Sequence, residues 1–316
     1  MNNDLYKLIA CPGCHGLLKM EDGELVCLSD KCSAQPRRWP IVNNVPVIFD
    51  ENRSLFRVAD LVAGPPQKVR NLRYFLSKGL HFRPLLGRNL AAVRNYREFG
   101  KLLNGDGQSQ VLVVGCGEGG AGFSQLQNIP NCQFVFADVR WTSIISVLCD
   151  GHQLPFPDGL FDGLVIQAVL EHVIDFAEVI QEVTRVLKVG GVVYSECPFL
   201  QPIHGSPYDF IRLTNIGHRR AFRNFDEIDS GICGGPGMAT AQMLQAATRS
   251  FFPGLLWRRF SDWLTDWTLW WLKYLDPLLV RNSAAMDAAS GFYFLGRKRS
   301  DPISNSMVIE SHRGNQ

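Results

Sequence analysis

"QVLVVGCGEGGAG", residues 110–122, opens on an unbroken apolar run and turns at once into glycine. A continuous Val/Leu run bounded by glycines is what a strand buried on both faces requires, because alternating polar residues would be forced into the core. The glycines follow the spacing Gly115-x-Gly117-x-x-Gly120, which suits a tight turn whose backbone comes close to a nucleotide cofactor. Further strand-like runs occupy 132–138, 162–167, 190–196 and 291–298, with helical stretches between them. In "FAEVIQEVTRVLK" (176–188), Phe176, Val179, Ile180, Val183 and Leu187 fall on one helical face. Strands alternating with amphipathic helices predict a doubly wound α/β sheet.

The glycine loop alone does not choose a cofactor. Asp138 closes the second strand twenty-one residues past Gly117, where a carboxylate can take ribose hydroxyls. A dinucleotide and S-adenosylmethionine (SAM) both satisfy that arrangement. The stretch "CDGHQLPFPDGLFDGLVIQAVLEHV" (149–173) is more specific. Asp150, Leu154-Pro155-Phe156, Phe161-Asp162 and Leu170-Glu171-His172-Val173 occur there in order. Together with "RVLKVGGVVYSECP" they resemble the core of class I SAM-dependent methyltransferases of the type 11 kind, over roughly residues 108–200.

The resemblance implies a Rossmann-like, mostly parallel seven-stranded sheet. Gly115, Gly117 and Gly119 would line the methionine and ribose part of SAM, and Asp138 would hold the ribose hydroxyls. Asp150 with the Gly151 backbone would receive the adenine, and Gln167 would face the methionine end. That family usually carries an acid two residues before the first glycine; this chain has Val113. The departure is the one feature that fits a non-catalytic SAM-binding partner protein.

In an open α/β sheet the reacting site lies past the carboxyl ends of the strands. The loop after the fifth strand, "PFLQPIHGSPYDFIRLTNIGHRRAF", gathers His204, Tyr208, Asp209 and Arg212. His204 is the expected general base, since imidazole alone titrates near neutrality. Asp209 is expected to orient it or act in its place, Tyr208 is a further catalytic candidate, and Arg212 pairs with Asp209 or holds an anionic acceptor. His172 reads as structural and Cys197, beside Pro198, as packing. The motif of nucleobase amino-methyltransferases is missing after the fourth strand.

Near the start, Cys11-x2-Cys14 and Cys27-x4-Cys32 supply four soft thiolates, a set suited to closed, structural tetrahedral Zn2+. "LIACPGCHGLL" and "WPIVNNVPVIF" resemble the small zinc-ribbon activator subunit of tRNA and release-factor methyltransferases, here joined to the enzyme. A zinc knuckle also precedes the SAM domain in large-subunit rRNA guanine methyltransferases, but their acceptor-side motifs do not appear here.

The 316 residues carry a net charge of +2 with 46% apolar and 20% charged residues, ordinary for a globular chain and uninformative about an acidic partner. Cations concentrate between Glu51 and Leu103, eleven against three acids, as a solvated helical face or a phosphate-binding surface. Five of the seven tryptophans fall in "WRRFSDWLTDWTLWW" (257–271) at helical spacing. Such a stripe reads as core or an oligomer interface, or else as a peripheral membrane contact or an apolar acceptor pocket; Asp262 and Asp266 among the arginines weigh against membrane. The start has no secretory pattern, and nine cysteines suit a reducing, cytoplasmic setting.

The expected organisation is a zinc ribbon (1–50), a basic helical connector (51–107), a methyltransferase domain (108–298) with a Trp-rich insertion at about 238–289, and a disordered tail (299–316). The expected activity is SAM-dependent O-methylation of a glycan-like or natural-product small molecule. An RNA (rRNA or tRNA) methyltransferase using the ribbon and basic segment is the alternative.

Overall fold

The computed structural model describes residues 3–30, 32, 37–64, 83–103 and 107–310. Much of the expected basic connector, 65–82, lies outside the described residues. The strands are β1 (Lys19–Glu21), β2 (Glu24–Cys27), β3 (Arg37–Val42), β4 (Val45–Ile48), β5 (Ser109–Val114), β6 (Cys132–Asp138), β7 (Val147–Cys149), β8 (Phe161–Gln167), β9 (Leu187–Pro198), β10 (Phe225–Gly234) and β11 (Gly291–Lys298). They form one sheet in the order β1-β2-β3-β4-β7-β6-β5-β8-β9-β11-β10.

The run that opens the glycine loop is β5, the middle of the doubly wound part. It pairs in parallel with β6 and β8, and Val111, Leu112, Val113 and Val114 are all buried, as an apolar strand covered on both faces must be. β9 runs parallel to β8, while β11 and β10 close the edge antiparallel.

The helices are α1 (Asn3–Tyr6), α2 (Val58–Val62), α3 (Ala92–Leu103), α4 (Phe123–Gln127), α5 (Phe176–Val186), α6 (Asn215–Ala221), α7 (Pro236–Ser250), α8 (Leu255–Leu269), α9 (Asp276–Leu279) and α10 (Asn305–Glu310). Asp175 caps α5, accepting from the Ala177 and Glu178 amides, and the buried stripe is Val179, Ile180, Val183 and Val186. Leu187, expected on that helix, instead begins β9. Two strands escaped the sequence signal: β7 is three residues long, and β10 ("FDEIDSGICG") mixes acids into an edge strand.

The seven strands from residue 109 onward match the expected sheet, but the cysteine block is not set apart from it. β3 and β4 form a hairpin whose turn, Asn43-Asn44, takes positive φ at both residues, the conformation that asparagine tolerates and that suits the twist of a hairpin. β4 then pairs in parallel with β7, Val47 opposite Leu148 and Ile48 opposite Cys149. The Ala10 amide donates to the Pro155 carbonyl at 2.8 Å. Ile9, Leu18, Leu25 and Trp39 share a core with Leu154, Phe156 and Phe161. Residues 1–50 therefore extend the sheet to eleven strands, and position 50 marks no break in packing.

The tail expectation is corrected for residues 299–310. α10 packs on α6, burying Val308 while Met307 and Ile309 stay exposed. The Trp-rich insertion is the helical unit α7, α8 and α9 between β10 and β11. Its stripe is not core: α8 buries Ser261, Asp262, Thr265 and Asp266 and exposes its tryptophans.

Candidate active site

The glycine loop crosses the carboxyl ends of β5 and β6. Gly115 takes φ +66°, and its amide donates to Ala137 at 2.8 Å. A Cβ there would meet Val169 at 2.2 Å, so glycine is required by both conformation and space. Gly117, at φ +50°, is different: a Cβ on it would meet nothing within 4 Å. The backbone at this point faces open space, as a cradle for a ligand must.

Asp138 is buried at the end of β6; its two oxygens accept the Gly117 and Arg140 amides at 2.9 and 3.0 Å. Asp150 follows β7 and holds His152, with Nδ1 at 2.6 Å, and Ser54, whose hydroxyl donates at 2.5 Å. Burial pushes its pKa up, but these hydrogen bonds outweigh burial and hold it below the usual carboxylate value. Ser54 lies 96 residues upstream of Asp150, so no sequence spacing announces it.

Gln167 ends β8. Its Oε1 accepts the Tyr96 hydroxyl at 3.1 Å, and its Nε2 donates to the Ala121 carbonyl at 3.2 Å and to Glu196 at 2.9 Å. Glu196, opposite Gln167 on β9, is a functional candidate that sequence reasoning missed. Its buried carboxylate also accepts from Asn89 at 2.8 and 3.0 Å and from Tyr194. Burial raises its pKa. All three donor groups are neutral, and no ion pair reaches it among the described residues. Val113, where an acid is usual, packs in an apolar layer with Tyr96 and Tyr194.

A second cluster stands beyond the ends of β8 and β9. Glu171 has no solvent exposure, and neither of its carboxylate oxygens has a hydrogen-bond partner. Facing it are His204 Nε2 at 3.6 Å and His172 Nε2 at 3.9 Å, with the two rings 4.9 Å apart and perpendicular. His172 Nδ1–H donates to the Tyr208 carbonyl at 2.5 Å, which turns its other nitrogen toward Glu171. The Glu171 carboxylate holds His204 above the ordinary imidazole pKa, against burial. One ligand atom from each of Glu171, His172 and His204 lies within 4.8 Å of the others, close enough for one cation to be shared among them. A cavity of about 110 Å³ is lined here by Asn89, Ala168, Glu171, Glu196, His204 and Met238.

The other loop candidates take different places. Asp209 pairs with Arg212, which lowers its pKa to about 2, and it accepts the His204 backbone amide at 2.7 Å. An acid so weakly basic cannot take a proton near neutrality; it fixes the loop on which His204 rides. Tyr208 is half exposed, its ring 6.1 Å from Phe56, and it does not line the cavity. Cys197 is buried in the core.

At the other end of the sheet, the four thiols of Cys11, Cys14, Cys27 and Cys32 lie within 4.8 Å of one another, with Cys11–Cys32 at 3.3 Å and Cys14–Cys27 at 3.6 Å. Tetrahedral Zn2+ with bonds of about 2.3 Å needs sulfurs about 3.8 Å apart, so the donor set fits. His15 instead faces Asp158 at 3.8 Å.

Residues 112–195 match the family model described as "Methyltransferase domain". No curated protein sequence matches the chain. Among solved structures, the chain is similar to a complex of the Haloferax volcanii Trm112 methyltransferase activator with a methyltransferase, at 16% identity, TM-score 0.42, 66% of this chain and 90% of that one. It is similar to Haemonchus contortus phosphoethanolamine N-methyltransferase 2 with SAM, at 15% identity, TM-score 0.40, 68% of this chain and 55% of that one. It is also similar to the Bradyrhizobium japonicum N-methyltransferase NodS with S-adenosyl-L-homocysteine, at 13% identity, TM-score 0.37, 72% and 97%. Identities this low name no acceptor. With the glycine loop and the strand-end acids on the same mostly parallel sheet, residues 112–195 form a methyltransferase domain of the class I fold.

Proposed function

We propose that the chain methylates an oxygen of a glycan-like or natural-product small molecule, in the cytoplasm, with His204 as the proton acceptor. The observation that carries this reading is the His204–Glu171 pair at the rim of the cavity beyond β8 and β9. A hydroxyl must lose its proton as it attacks, and an imidazole backed by a buried carboxylate takes that proton and stabilises the resulting charge. His172 shares the carboxylate, and Asp209 with Arg212 positions the loop.

Bound SAM supplies an electrophilic methyl group on a sulfonium. Gly115, Gly117 and Gly119 line its methionine and ribose part, and Asp138 takes the ribose hydroxyls with the lone pairs its two backbone contacts leave. Asp150 and the Gly151 backbone receive the adenine, and Gln167 faces the methionine end. Glu196, buried among neutral donors, supplies there the negative charge that Val113 does not. The free thiols of all nine cysteines suit a reducing compartment, and the four of the ribbon hold structural Zn2+.

The RNA alternative draws on the connector's cations: of those described, Arg53, Arg83, Arg94 and Lys101 are each paired with an acid, and Arg57, Arg88 and Arg97 are exposed. The test is calorimetric SAM binding followed by turnover on a panel of hydroxylated glycans and small molecules, with products located by mass spectrometry. An O-methyl product that needs His204 supports the proposal. Absence of SAM binding, or methyl groups found only on RNA, sinks it.

A further inference from the structure

The helical unit between β10 and β11 is built inside out. α8 turns Ser261, Asp262, Thr265 and Asp266 inward and exposes Trp257, Phe260, Trp263, Leu264 and Trp267, with Trp271 exposed just beyond its end. The exposed apolar surface continues on both sides, from Phe251, 81% exposed, to Leu278, 65% exposed. Monomeric proteins rarely leave so many large apolar side chains of one segment exposed without using them.

Charge is sorted in the same way. Asp262 pairs with Arg249 at 2.6 Å, Asp266 with Arg83 at 3.2 Å, and Asp276 caps α7 by accepting the Gly237 and Met238 amides. All three acids between residues 249 and 281 are therefore buried, while Arg249, Arg258, Arg259 and Arg281 are exposed. The two aspartates that weighed against a membrane contact in the sequence are largely buried, and each is neutralised by an arginine. Arg83, Arg249, Arg258 and Arg259 also line an open groove of about 830 Å³, with Leu255, Phe260, Trp263 and the Arg249-paired Asp262 among its walls.

We propose that this face lies in the headgroup layer of an anionic phospholipid bilayer. Indole and phenol rings favour the boundary between headgroups and acyl chains, and exposed arginines favour lipid phosphate. Among the described residues no helix is long and apolar enough to cross a membrane. α8, fifteen residues and about 22 Å long, lies flat with its aromatic side down. A second copy of the chain fits worse. A symmetric interface sets this face against itself, bringing Arg258 and Arg259 toward their own like with no exposed acid from 249 to 281 to pair them.

The experiment is co-sedimentation of the full chain with phosphatidylcholine vesicles and with phosphatidylcholine–phosphatidylglycerol vesicles. Binding is expected to the anionic vesicles, weakened by salt, with a blue shift of tryptophan fluorescence. Arg258→Gln with Arg259→Gln should weaken partition about thirtyfold, at roughly 1 kcal/mol per arginine. Trp263→Ser with Trp267→Ser should abolish it while the thermal unfolding midpoint holds, since both residues are exposed. Equal binding by wild type and variants overturns the proposal, as does failure of the wild type to bind anionic vesicles. A lipid-free dimer that dissociates in the tryptophan variant and does not bind vesicles assigns the face to a second copy instead. Tryptophans already shielded from acrylamide in the lipid-free monomer would mean that the chain covers the face itself. None of these readouts depends on methyl transfer.

Discussion

His204 Nε2 stands 3.6 Å from Oε1 of Glu171, a carboxylate with no solvent exposure and no hydrogen-bond partner. A charge so placed is costly unless a cation shares its site. The protonated imidazole is that cation, so the pair favours the state in which His204 has just accepted a proton.

His204→Ala should therefore lower kcat by about 10²–10⁴-fold while calorimetric SAM affinity stays near wild type. A comparable loss of SAM binding would place His204 in the cofactor site and refute its role as base.

Glu171→Gln tests the electrostatics. His204 must be neutral to accept a proton, so the rate rises with pH through its pKa, which Glu171 holds above the ordinary value. Removing that charge should move the acid limb of the kcat profile to lower pH and reduce the plateau. An unmoved limb means that another group titrates there.

Asp209 makes a stability prediction of opposite sign. Arg212 lowers its folded-state pKa to about 2, against about 3.9 unfolded. The pair stabilises the fold above the unfolded value, and that contribution is lost as pH falls toward 2. Asp209→Asn should cost about 2 kcal/mol near neutrality, read from the urea midpoint, and the difference from wild type should shrink in acid. A constant difference across pH would remove the ion pair as its cause.

The ribbon shares its core and a sheet edge with the enzyme, so metal loss should be felt throughout. One Zn2+ per chain is expected by elemental analysis. A chelator, or Cys14→Ser, should lower the unfolding temperature of the whole chain in a single transition. A separate low-temperature transition that leaves the rest untouched would show the two parts to be energetically independent.

Glu196→Gln should weaken SAM binding about tenfold or more, the scale of one charged hydrogen-bonding partner. Unchanged affinity would leave the methionine ammonium to other groups.

The sequence alone determined the parts whose signal is local. β5, the glycine loop, Asp138 and the α5 stripe are legible because buried parallel strands, tight turns and helical faces each impose a pattern within about fifteen residues. The four cysteines are legible for the same reason, since metal geometry restricts ligand type and spacing. Tertiary structure decided what depends on distant residues meeting. Ser54 reaches Asp150, Asn89 and Tyr194 converge on Glu196, and the parallel pairing of β4 with β7 welds the ribbon into the sheet. Glu171 lay in a quoted motif, but only the loop after β9, folding back over it, leaves its carboxylate buried and facing two histidines. The stripe of α8 carried the right period and the wrong side. A helical period says which residues share a face, and only the neighbours, here Gln245, Arg249 and Arg83 drawing the aspartates inward, decide which face meets water.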